Sequence, residues 1–321
     1  MSDETIDKTF QVSSSARLII TNVRGSVTIQ PGEAGVIEVK AVKHGNSLNA
    51  SDVIEMSQDS DGTVRVETRS NETFLRLLSY PPKVDYSVRV PQGIHLEASC
   101  ISSSLNVSSL SGVFKLKTIS GGTEVTDLAG PLKLNAVSGE IRGTRLAGAL
   151  ELGTVSGSVH ITASNFPSAE ASTVSGDLNL QTPIAEGPYQ FGSVSGSVRL
   201  LVPKDTHCKV ELNSVSGKLR SSLPVTSLAL GPGTKVTQVG SGGTAVRLKS
   251  VSGGLTIETE GVPATNATDT SASTSTYVPP TPPATPTTPP PAPLSTAEIL
   301  QRIESGEMTV DDAIKLMKGQ S

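Results

Sequence analysis

Residues 150–161 read Leu-Glu-Leu-Gly-Thr-Val-Ser-Gly-Ser-Val-His-Ile, and the tripeptide Val155-Ser156-Gly157 at their centre decides the architecture. The same V-S-G or I-S-G recurs with its apolar residue at Ile119, Val137, Val155, Val174, Val194, Val215 and Val251. The steps are 18, 18, 19, 20, 21 and 36 residues, and the last reads as one skipped copy, degenerate near Val239-Gly240-Ser241-Gly242. A nearly fixed period of this length signifies one small unit stacked on copies of itself.

Laid over one another, the copies keep apolar residues at fixed offsets. Three residues before the tripeptide stand Leu116, Leu134, Leu152, Ala171, Phe191, Leu212 and Leu248; four residues after its first member stand Thr123, Ile141, Val159, Leu178, Val198, Leu219 and Leu255. Pairs two apart, such as Leu150 and Leu152 or Val159 and Ile161, have the period of a strand. The change of spacing around V-S-G means that the chain turns a corner there. Serine favours turns and glycine takes positive φ at little cost. Ser138-Gly139, Ser156-Gly157, Ser175-Gly176, Ser195-Gly196 and Ser216-Gly217 are therefore assigned as structural corners. The apolar corner residue is expected to point inward, Val155 packing between Val137 and Val174. The residue after the glycine varies (Gly122, Glu140, Ser158, Asp177, Ser197, Lys218, Gly254), so the repeat conserves architecture rather than chemistry.

Of 321 residues, 36% are hydrophobic but only 3% aromatic, and Trp is absent, which suits a narrow stack filled by Val, Leu and Ile. Net charge is −4, and residues 113–260 carry 13 basic against 11 acidic residues without a basic stripe. Nucleic acid is not an expected partner. Cys100 and Cys208 read as small buried hydrophobes. Residues 1–20 lack a basic start followed by an apolar run, and no segment is apolar for long enough to span a membrane. The expected location is cytoplasmic, with envelope association as the alternative.

Residues 1–112 also read as strands, among them Leu18-Ile19-Ile20 and the alternating Val84, Tyr86, Val88 and Val90. Gly25-Ser26-Val27 and Leu110-Ser111-Gly112 look like worn corners. This region is assigned as an irregular β cap continuous with the repeats of residues 113–260. Residues 261–294 form a Thr/Pro-rich linker, since 262–293 hold ten Pro and twelve Ser or Thr with one charge, Asp269. Such a composition is expected to be disordered. Residues 295–321 are expected to form a helical hairpin. Ser295-Thr-Ala-Glu298 and Thr309-Val-Asp-Asp312 are helix-start signals, and Gly306 stands between two apolar faces. A hairpin this short needs a partner surface, and Ile299, Leu300, Ile303, Ile314 and Met317 are assigned to association. Its charge of −2 disfavours insertion into a membrane. The fold class is thus all-β, a right-stacked β-solenoid or β-helix-like repeat domain with an irregular cap, plus a small C-terminal α-hairpin.

Val88-Arg-Val-Pro-Gln-Gly-Ile-His-Leu96 and the serial V-S-G corners after it resemble the bacterial β-strand-repeat family called "putative adhesin", a domain of unknown function. The tail Glu298-Ile-Leu-Gln-Arg-Ile-Glu-Ser-Gly-Glu-Met-Thr-Val-Asp-Asp-Ala-Ile-Lys-Leu-Met317 is similar to the SHOCT-like helical hairpin. The resemblance implies a pairing of modules found in Gram-positive bacteria, with some members linked to envelope-stress responses. Here the hairpin is C-terminal, where those relatives often carry it first.

No constellation of catalytic residues emerges. Glu140 and Asp177 share a phase of the repeat but stand two rungs apart with Ser158 between them, and the serine row has no adjacent base. The histidines 44, 95, 160 and 207 show no ligand spacing. No catalytic, cofactor or metal residue is assigned. The sequence reads as a non-enzymatic scaffold or interaction protein that engages a protein partner, or itself, through the hairpin. An exported surface adhesin is the alternative, and a carbohydrate-active β-helix enzyme is a more distant one.

Overall fold

The repeat turns through three sides. In the rung of residues 132–148, β9 (Leu132–Ala136) forms one side, the V-S-G corner leads to β10 (Ile141–Thr144), and a short third side returns through Leu146. Ala147 bridges in parallel to Ala129 below and Asn165 above on that third side. The computed structural model describes residues 3–13, 16–45, 49–69, 81–231, 234–259 and 265–266.

Parallel pairing stacks each side on its counterpart. On the first side, β7 (Ile94–Thr118), β9, β11 (Leu150–Thr154), β13 (Ala169–Thr173) and β15 (Tyr189–Ser193) align Phe114, Leu132, Leu150, Ala169 and Tyr189. On the second, β8 (Thr123–Ala129), β10, β12 (Val159–Thr162), β14 (Leu178–Gln181) and β16 (Val198–Leu201) align Thr123, Ile141, Val159, Leu178 and Val198. These columns are buried and fill the interior. Each fully buried Leu or Val contributes roughly 1.5–3 kcal/mol. The small pair Ala169 and Ala171 lies beside the large pair Tyr189 and Phe191, and the Tyr189 hydroxyl donates to the Phe166 carbonyl at 2.6 Å.

Chain order and rung order part company after β16. The rung of β21 (Thr244–Ser250) and β22 (Leu255–Glu258) sits directly on β15 and β16, and β17 (Cys208–Ser214) with β18 (Leu219–Ser221) lies beyond it. The intervening residues form an antiparallel hairpin, β19 (Val225–Gly231) and β20 (Thr234–Val239), which caps β17. The 36-residue step is therefore an inserted hairpin. Val239-Gly240-Ser241-Gly242 is the end of β20 and its turn, not a degenerate corner.

At the other end, β2 (Arg17–Pro31) pairs with β7 in parallel along both of its sides. Over it lie β6 (Lys83–Val90), then antiparallel β3 (Val36–His44) and β1 (Glu4–Gln11); on its other half lie β5 (Val64–Thr68) and antiparallel β4 (Ile54–Gln58). Antiparallel strands thus cover both ends of the stack, where open parallel edges would invite further pairing. The only helix among the described residues is the single turn α1 (Ala50–Val53). The expected α-hairpin and most of the linker lie outside the described residues.

Two expectations about the corner need correction. Corner glycines do not carry positive φ; a Cβ on Gly157 would collide with the carbonyl oxygen of Gly139, and one on Gly139 with that of Gly121. Contact of the same kind runs through Gly176, Gly196, Gly253 and Gly217. Leu110-Ser111-Gly112 belongs to a different corner, where Gly112, Gly130 and Gly148 do have positive φ; the chain's worn V-S-G copy is Ile101-Ser102-Ser103, whose Ser103 carbonyl faces Gly121. Gly25 pairs with Ser103 in this column but, unlike the V-S-G glycines, has positive φ, while Ser26 and Val27 begin the next side.

The second correction concerns direction. Towards the far end of the stack the apolar corner residue faces outward, Val194, Val251 and Val215 being 44%, 52% and 85% exposed. Val137 and Val155, by contrast, are fully buried although neither joins the contiguous core, so the expected burial of Val155 is seen but not its packing into the inner column.

The glycine contact makes a direct prediction. Gly157→Ala should destabilise by at least about 2 kcal/mol through forced displacement of one rung. Gly122→Ala, where a Cβ meets nothing within 4 Å, should be close to neutral in the same denaturant titration. Equal midpoints for the two variants would contradict the close-approach account.

Candidate functional site

Most corners are tied by two hydroxyls, one inner and one outer. The inner one belongs to the residue before the apolar position. The Thr154 hydroxyl accepts from Gly157 N–H at 3.1 Å, Thr173 from Gly176 at 2.8 Å and Ser214 from Gly217 at 2.7 Å. Ser193 and Ser250 donate instead to the carbonyls of Gly196 and Gly253. This position (Thr118, Thr154, Thr173, Ser193, Ser214, Ser250) recurs in every copy except Ala136, a signal present in the sequence and missed in reading it. The motif is longer than three residues.

The outer hydroxyl is the corner serine. Ser138 Oγ donates to the Ile119 carbonyl at 3.2 Å, Ser156 to Val137 at 3.3 Å, Ser175 to Val155 at 3.4 Å, Ser195 to Val174 at 3.2 Å and Ser216 to Val251 at 3.4 Å. The N–H of each serine donates to the same carbonyl. Each such oxygen therefore receives two bonds from one residue of the next rung. With its proton committed to the backbone, the serine row is a structural ladder.

Titratable groups are dispersed and paired. Glu140 meets Arg142 at 2.7 Å, and Asp177 accepts from the Ser197 N–H at 2.9 Å. Cross-rung ion pairs join Lys115 to Glu97, Lys133 to Glu151, Arg145 to Asp127 and Arg247 to Glu211. Hydrogen bonding to Arg145, against a smaller opposing desolvation, holds the Asp127 carboxyl below its ordinary range. In the cap, His44 lies between Asp3 at 3.0 Å and Asp85 at 2.6 Å, an arrangement that no sequence spacing announces. His207 Nδ1 accepts from Ser241 N–H. Cys100 and Cys208 are free and buried, and burial pushes their thiols up to about 12 and about 11. Among the described residues no three His, Cys, Asp or Glu side chains gather as a metal site would require. Nor is any described helix long and apolar enough to cross a membrane.

Two surface features run along the stack. One is a shallow groove of about 420 Å³ beside the first side, floored by Val113, Pro131, Ala149, Ser168 and Pro188 and edged by Lys115, Lys133, Glu151 and Glu170. The other is the outward corner ridge, which ends in Val194, Val251 and Val215. The association residues Ile299, Leu300, Ile303, Ile314 and Met317 lie outside the described residues.

The model of the family described as Toastrack DUF4097 matches residues 16–258. No curated protein matches the sequence. Among solved structures, a "putative adhesin" from Bacteroides fragilis is 14% identical, with 80% of this chain and 97% of that one covered and a TM-score of 0.42. A "putative adhesin" from Parabacteroides distasonis is also 14% identical, with 80% and 97% covered and a TM-score of 0.41. A "putative lipid binding protein" from the same organism has 14% identity, 79% and 96% coverage and a TM-score of 0.39.

The two hydroxyl rows should differ in weight. Thr154→Val strands the buried Gly157 N–H and should cost about 1–3 kcal/mol. Ser156→Ala removes an exposed second donor and should cost less than about 1 kcal/mol. Thermal unfolding of both variants checks the order, and a larger loss for Ser156→Ala would reverse the assignment of inner and outer roles.

Proposed function

The chain belongs to the Toastrack DUF4097 family, and we propose that it works as a non-enzymatic interaction scaffold, a rigid β-stack that tethers a C-terminal helical association module. The observation that carries this reading is the outward ridge. Valines 44–85% exposed at successive corners form an apolar row that the interior does not need. Such rows mark contact surfaces. The hydroxyls that could otherwise act as nucleophiles are committed to the ladder.

Residues 295–318 supply the second contact element. Their apolar faces recur at helical spacing, and their net negative charge favours protein over anionic lipid. A role in a bacterial envelope-stress response fits a stack of this kind that carries a SHOCT-like hairpin. The Thr/Pro composition of residues 262–293 also suits the stalk of an exported surface adhesin. Fractionation of the producing cells separates the two settings.

The association claim has a direct test. Pull-down with the full chain should recover a partner or a second copy, and the double variant Ile303→Asp, Ile314→Asp should lose it. The thermal transition of the β-stack should not move. Unchanged capture by the double variant would remove the helical segment from the proposal.

A further inference from the structure

The outward ridge is not uniform along the stack. Val137 and Val155 are fully buried, yet neither belongs to the contiguous core. Beside them runs an outward row in register, Asn135, Gly153, Ser172 and Gly192, with Lys117 at one end and Lys249 at the other. Small side chains make this row a shallow trough on the sheet, where a helix can approach closely. Asn135 points into the trough, is only 5% exposed, and its Nδ2 has no hydrogen-bond partner. A buried amide left unbonded on an outer face is costly, and it signals a surface meant to be covered by something that can accept a hydrogen bond.

We propose that this trough and the valines beside it are the docking site for the chain's own residues 295–318. The inference rests on reading that segment as the helical association module. Three observations favour this occupant. First, the segment's apolar residues need a surface, and Val137 and Val155 flank the trough on its corner side, with Lys133, Glu151 and Glu170 on the other. Second, the segment carries five acidic and three basic residues, and lysines stand at both ends of the trough.

Third, the tether is long enough. The chain is last described at Thr265-Asn266, paired antiparallel with β18, whose rung is four rungs from Gly153, roughly 19 Å at strand spacing. Read as an extended Thr/Pro-rich linker, residues 267–294 reach several tens of ångströms at roughly 3 Å per residue. The local concentration of the segment is then on the order of millimolar, which favours the same chain over a second copy at micromolar protein. Docking in cis has a functional consequence. The faces that would capture a partner are held on the stack, so a partner must compete for them, and its capture uncovers Val137 and Val155.

The native thiols permit a clean test, because both are buried and poorly ionised at neutral pH. In the full chain, Val155→Cys and Val215→Cys are each labelled with a maleimide at pH 7. Labelling at position 155 should be at least about tenfold slower than at the exposed position 215. Adding Ile303→Asp and Ile314→Asp should bring the two rates within about threefold of each other. If Val155→Cys fails to fold, Val137→Cys serves in its place. Slow labelling that the Asp changes leave untouched would overturn the proposal, and so would protection that grows with protein concentration, which indicates a second copy. Loss of partner capture together with unchanged labelling would sink the cis docking alone and leave the association module standing.

Discussion

Everything in the stack depends on how closely two corner glycines can approach. Each glycine Cα lies against the carbonyl oxygen of the glycine one rung below, from Ser103 and Gly121 through Gly139, Gly157, Gly176 and Gly196 to Gly253 and Gly217. Only a residue without Cβ lets the backbone turn there while neighbouring rungs keep the roughly 4.8 Å separation that strand pairing requires. The remaining corner chemistry follows from that contact. An inner Thr or Ser bonds to the glycine's own backbone, and an outer Ser adds a hydroxyl to the carbonyl that its N–H already bonds. With the inner side taken by the hydroxyl and the glycine, the valine between them is left on the outside.

That arrangement divides labour between the sides and the corners. The sides hold the interior, in columns such as Leu132, Leu150 and Ala169 or Ile141, Val159 and Leu178. The corners hold the spacing and carry the outward apolar residues Val194, Val251 and Val215. Because corner spacing is fixed by backbone contact, outward residues can change without disturbing the stack. The position after the glycine does change, from Gly122 through Glu140 and Asp177 to Lys218. Constant spacing with a variable surface suits the proposed interaction scaffold.

Much of the stack was legible in the sequence because its period is local. The offsets of Leu116, Leu134 and Leu152 give the first side, and Ile141 and Val159 give the second. The direction of the corner valine was not legible, since a recurring apolar residue ordinarily means core, and nothing short of the Thr154 hydroxyl bond reveals that the inner place is already filled. Glycine was recognised as necessary there, but the reason lies between rungs, in the Gly139 carbonyl, and not in its own φ. The placement of the Val251 rung between those of Val194 and Val215 was hidden too. It depends on the β19–β20 hairpin folding back on β17, a long-range choice that a skipped period imitates. In the cap, pairs such as Ile37 with Phe10 and Val39 with Val88 are antiparallel and distant in sequence, beyond the reach of any repeat.

The division between an inner column and an outer ridge can be tested within four residues of one corner. Val194 is an outward corner residue at 44% exposure, and Val198, the first residue of the next strand, is fully buried. Placing a carboxylate at each in turn and following thermal unfolding measures the division directly. Val194→Asp should leave the transition within a few degrees of the parent, as surface substitutions do. Val198→Asp should abolish cooperative unfolding or lower its midpoint drastically, because it buries an unpaired charge. A collapse of stability in Val194→Asp comparable to that in Val198→Asp would contradict the outward ridge and return the corner valines to the core.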